Sequence, residues 1–152
     1  MSPGKVSKRV VLDRISWVKR MLSEIRALPL RSRDEFLSDS RNVWTAESCL
    51  RRALEALFDA GRHILAKAFG KGVSEYKEIA SALAESHVLT PQQAALFRIL
   101  AGYRNRLVHF YHEVSQDELY QICSARLGDV VAAEEALRAW FESHPDLVDD
   151  AL

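Results

Sequence analysis

The chain has 152 residues, 48% of them apolar and 28% charged, with six glycines and four prolines. That is the composition of one globular domain able to bury a core without disulfides or metals, and it excludes a disordered or low-complexity chain. Net charge is zero at pH 7 but unevenly spread: residues 1–62 carry 13 Lys/Arg against 8 Asp/Glu, and residues 113–152 carry 2 against 10, so a polyanion would have to be met by a local basic face rather than steered by the whole molecule.

Cys49 and Cys123 form no paired-cysteine motif, and the N-terminus does not read as a signal sequence. No apolar run approaches the roughly 18 to 20 residues needed to cross a bilayer. The expectation is a cytoplasmic protein with both thiols reduced in the core and no membrane contact.

Apolar residues recur at spacings of three and four nearly everywhere, which predicts an all-α chain. A first helix is expected over residues 6–28, ended by Pro29. Ser32 and Glu35 have capping-box spacing and open a long second helix, with a possible break at residues 39–41, that runs to Gly70-Lys71-Gly72. Ser74 is placed to cap a short third helix carrying Tyr76, Ile79 and Leu83. Thr90-Pro91-Gln92-Gln93 combines an N-cap, a proline at the first helical position and a glutamine three residues on, and is the clearest helix start in the sequence. Ser115 and Glu118 start a fifth helix expected to continue to about residue 142. The remainder, residues 144–152, reads as an acidic tail free to fray. The whole is predicted as a single domain over residues 1–152, an antiparallel bundle of about five helices.

Residues 102–114, GYRNRLVHFYHEV, concentrate polar chemistry at the end of the fourth helix. On an ideal helix Leu100, Tyr103, Leu107 and Phe110 form the core stripe, with Asn105 and His109 on one flank and Arg104 and Tyr111 on the other. Arg104 brings a permanent fork of donors suited to phosphate, His109 an imidazole that titrates near neutral pH, Asn105 an amide able to orient that ring, and Tyr111 a phenol. Such a set suits phosphodiester chemistry. Yet Arg104 and His109 stand about 140° apart, with a rise of about 7.5 Å, so they converge only if the arginine curls or the helix ends near His109. On spacing alone other readings stay open: Arg104 and Arg106 solvated or paired with acids of the fifth helix, His109 bonded to backbone, Tyr111 an interfacial aromatic. A metal site of His109, His112 and Glu113 lacks the HExxH arrangement.

The run from Arg104 to Tyr111 resembles the R-x4-H-x-Y motif of the HEPN superfamily, in particular the HepT-like toxins. The resemblance continues through Asp13-Arg14-Ile15, Glu24-Ile25, Asp34-Glu35-Phe36-Leu37, residues 47–63, Ser74-Glu75-Tyr76 and the helix leading from Thr90 into the motif, covering roughly residues 10–141. It implies a homodimeric endoribonuclease of a type VII toxin-antitoxin pair that needs no metal and no cofactor. It attacks RNA through the 2'-hydroxyl and leaves a cyclic phosphate and a 5'-hydroxyl. Carried onto this sequence, Arg104 contacts the scissile phosphate, His109 is the general acid or base, and Asn105 supports the site. Tyr111 is the residue on which the partner, a minimal nucleotidyltransferase (MNT) antitoxin, places AMP. The alternative from another class is a non-catalytic HEPN module that holds a nucleotide or that transferase.

Overall fold

The computed structural model describes residues 4–108 and 114–151. His109, Phe110, Tyr111, His112 and Glu113, singled out above, lie outside the described residues. Among these, seven α-helices account for nearly all the regular structure: α1 (Lys8–Arg26), α2 (Arg33–Leu37), α3 (Ser40–Phe69), α4 (Tyr76–Glu85), α5 (Pro91–Leu107), α6 (Gln116–Ala125) and α7 (Leu127–Ser143). Two short strands, β1 (Val6–Ser7) and β2 (Val148–Asp149), pair in parallel.

The local chemistry explains most boundaries. Ser7 is extended and its hydroxyl accepts from the Val10 amide, so α1 begins at Lys8 rather than at residue 6, and Val6 and Ser7 are left to the ladder. Ser32 caps α2. Asp39, extended at φ −132° and accepting from the Arg41 amide, ends that turn and starts α3, so the expected break is present. Gly70 closes α3 at φ 64°, a left-handed conformation that favours glycine. Thr90 and Gln93 make both reciprocal capping hydrogen bonds at the head of α5.

Three expectations need correction. The cap of α4 is Glu75, whose carboxylate accepts from the Glu78 amide, and not Ser74; an acid there also meets the positive end of the helix dipole. The predicted fifth helix is two helices. Arg126 leaves helical geometry at φ −121°, ψ 4° without a side-chain cap, yet Cys123 and Leu127 keep four-residue spacing across the bend, so periodicity could not reveal it. The acidic tail does not fray as far as residue 149: Pro145–Leu147 forms a turn of 3-10 helix and Val148–Asp149 pairs with Val6–Ser7, while Lys8 reaches Asp150 at 3.6 Å.

The core is one cluster centred on α3, whose buried stripe includes Leu50, Leu54, Leu57, Phe58, Ile64 and Leu65. Helix α1 lies along it through Val11, Ile15, Val18, Leu22 and Ile25, and α4 and α5 pack on one another beside it. Phe58 ties three helices together: its ring meets Tyr76 of α4 edge-on at 5.1 Å and Phe97 of α5 at 5.7 Å. No described helix is long and apolar enough to cross a membrane.

Candidate functional site

The last turn of α5 carries Arg104, Asn105 and Arg106, with Leu100 and Leu107 buried behind them. The helix stops at Leu107 with Val108 as its C-cap, so it ends close before the motif histidine in sequence. Asn105 is half-buried on this turn.

Arg104 is held from two sides. Its Nε and Nη2 donate to Glu55 Oε2 of α3 at 3.2 and 2.9 Å, and its guanidinium lies over the Tyr76 ring at 4.1 Å. The side chain is 22% exposed, so the ion pair is partly withdrawn from water and the cation gains from the ring face. Glu55 Oε1 takes a further hydrogen bond from Arg51 Nη1 at 2.9 Å, one helical turn earlier. Arg62 also approaches Tyr76, 6.0 Å from the ring centroid, and is bonded to Asp59 at 2.6 Å. Burial pushes the Tyr76 phenol above its ordinary value, opposed in part by Arg104, so the ring stays neutral beside the cation.

Arg106 takes a different course. It forms a double hydrogen bond with Glu118 of α6 at 2.8 and 2.7 Å, which is the pairing with an acid of the following helix that the sequence left open. Glu118 thereby spends its carboxylate on Arg106, while its backbone amide still donates to Ser115. Arg104 instead pairs with α3, whose glutamate was not foreseen. The signal available was a lone acid, Glu55, between buried Leu54 and Ala56 and four residues after an arginine.

Beside Glu55 a groove of about 430 Å³ opens between α1 and α3, lined by Asp13, Arg14, Trp17, Arg52 and Asp59. The basic N-terminal residues are mostly engaged within the chain: Arg14 with Asp13 and Asp59, Lys19 with Glu134, and Arg20 over the Trp17 ring at 5.3 Å. His63 accepts the Ser7 amide through Nε2 at 3.0 Å, and burial holds its pKa below the ordinary value. His144 stacks on Trp140 at 4.7 Å. Both histidines have local structural partners. Among the described residues no group of three His, Cys, Asp or Glu could hold a metal ion. Cys123 is buried and its thiol is pushed up to about 12, so it is chemically quiet.

A family model described as "Ribonuclease HepT-like" matches residues 18–137. The chain belongs to the HepT-like ribonuclease family. One relative, tRNA nuclease HepT of Aphanizomenon flos-aquae (strain 2012/KM1/D3), is 27% identical over 119 residues, which is 78% of this chain and 80% of that protein. Among solved structures, a tri-AMPylated Shewanella oneidensis HEPN toxin in complex with an MNT antitoxin superposes with a TM-score of 0.76 at 21% identity, over 86% of this chain and 97% of that one. YutE of Bacillus subtilis, a cytosolic protein of unknown function, superposes with a TM-score of 0.74 at 18% identity, over 93% and 94%. At those identities the two structures show a common fold.

Proposed function

We propose that the chain is the toxin of a HEPN/MNT toxin-antitoxin pair, an endoribonuclease that works without a metal ion. The observation that carries this is Arg104. In a chain of the HepT-like ribonuclease family, it sits on the last turn of the helix leading into His109, already fixed at the surface by Tyr76 and Glu55. The 2'-hydroxyl of the substrate attacks phosphorus and gives up its proton to a general base, while the bond to the 5'-oxygen breaks and that oxygen takes a proton. His109 serves one of these transfers, Arg104 stabilises the charge gathering on the phosphoryl oxygens, and Asn105 supports the histidine. A cyclic phosphate and a 5'-hydroxyl result, with atoms and charge balanced without a cofactor. Two copies facing each other across a homodimer give one composite site.

Tyr111 is the acceptor for AMP from the MNT antitoxin in this reading. A phosphate on that phenol would occupy the arginine and keep RNA out. The AMPylated state of the Shewanella oneidensis toxin supports the assignment by likeness of fold.

The test is to incubate the purified, partner-free protein with total RNA and transfer RNA in a chelator, beside His109→Ala prepared identically. Cleavage by the wild type alone, leaving cyclic-phosphate ends, is the expected result. Cleavage that stops in the chelator, or that persists in His109→Ala, would sink the mechanism. An inert wild type that still binds the partner transferase would favour the binding-module alternative.

A further inference from the structure

Arg104 uses its donors unevenly. The edge formed by Nε and one Nη2 hydrogen is committed to a single oxygen, Glu55 Oε2, and no described residue takes the Nη1 hydrogens. A guanidinium offers five donors in a rigid plane and binds a phosphate best through two parallel hydrogen bonds. Holding the side edge fixes that plane and leaves the end-on pair of nitrogens available. Glu55 is in turn held: Arg51 bonds its other oxygen, and its backbone belongs to the helix at the centre of the core. Tyr76 forms the floor under the fork and is itself wedged against Phe58.

We infer that Glu55 is a positioning residue for the reaction, a fixed carboxylate that orients Arg104 so that its free edge meets the phosphate in the transition state. The inference rests on the ribonuclease reading above. The arrangement is more than surface charge pairing, because two hydrogen bonds and a ring face restrict one guanidinium in all three directions. The carboxylate has a second, opposing effect: a negative charge beside the phosphate weakens binding of the ground state. Orientation acts on turnover and repulsion acts on binding, so the two separate in kinetics.

The experiment measures kcat and KM on an RNA oligonucleotide that the wild type cuts, in a chelator, for the wild type, Glu55→Gln and Glu55→Asp. The amide of Glu55→Gln preserves shape but is a weaker acceptor and carries no charge. Turnover is expected to fall about tenfold with KM unchanged or lower, an effect of the size that small misplacements of catalytic groups produce. Glu55→Asp restores the charge and should recover part of the lost turnover. Thermal unfolding of both variants should match the wild type, since Glu55 is 28% exposed. Turnover within about twofold of wild type in Glu55→Gln, or a KM that rises at unchanged kcat, overturns the inference while leaving the ribonuclease reading intact. A wild type that does not cut RNA overturns that reading, and the inference with it.

Discussion

Two carboxylates in this molecule have been treated in opposite ways. Glu55 is 28% exposed and receives three hydrogen bonds from two arginines. Glu134 on α7 is 3% exposed, and its Oε1 has ion-pair partners only at 3.4 Å from Arg138 and 3.8 Å from Lys19, with no hydrogen bond among the described residues. Burial pushes its carboxyl above the ordinary range, more strongly than the two cations lower it. The partly exposed group loses little hydration and gains directional bonds, so it can fix a neighbour. The buried one has lost its water for loose Coulombic contacts, which is a poor exchange. Carboxylates near cations are therefore not equivalent, and geometry separates one that organises a site from one that burdens a helix interface.

The largest test of this contrast is Arg104→Lys. Lysine keeps the charge but has no planar fork to span Glu55 and the phosphate while lying flat on Tyr76, so kcat/KM for RNA should drop about 100-fold or more. Single-turnover cleavage measures it, and activity within about threefold of wild type would show that orientation is unimportant there.

At the other carboxylate the change should go the opposite way. Replacing Glu134 with leucine removes a buried charge and leaves Lys19 and Arg138, 58% and 35% exposed, to be served by water. Stability should be unchanged or higher by about 1 to 3 kcal/mol, with RNA cleavage unaffected. Thermal or urea unfolding decides the matter, and a loss of several kcal/mol would make Glu134 an anchor of the fold.

The smallest effect is in pH. With the Glu134 carboxyl raised, the folded chain keeps that proton to higher pH than the unfolded chain, so this group's contribution to stability falls as pH climbs from near 4.5, the ordinary glutamate value, through the folded value. Unfolding free energies of Glu134→Gln and wild type should diverge over that window and run parallel above it. Parallel curves throughout would mean the carboxyl titrates as it does in water.

Much of this architecture was legible in the sequence because it depends on local signals. Thr90 with Gln93, Asp39 at the break and Gly70 at the stop each act within a few residues, and each boundary fell where those side chains place it. The bend at Arg126 was invisible because the apolar spacing runs through it unchanged. The ladder between β1 and β2 joins segments more than 140 residues apart in number and has no periodic signature at two residues a strand. In the candidate site Arg104 and Asn105 stood out as polar residues against a core stripe. Glu55 did not, because its partner lies 49 positions away, and a single acid on a long helix resembles any solvated one.

Gly61 gives the fold an indirect influence over that chemistry. A methyl group there would come within 3.0 Å of Leu83 and 3.5 Å of Ile79, so the missing side chain is what lets α4 lie so near α3. Tyr76, Ile79 and Leu83 are spaced along α4 by three and four residues and share one face, and Tyr76 carries the Arg104 guanidinium. A position with no side chain to offer, apart from the reacting groups, thus sets the height of the platform under the arginine.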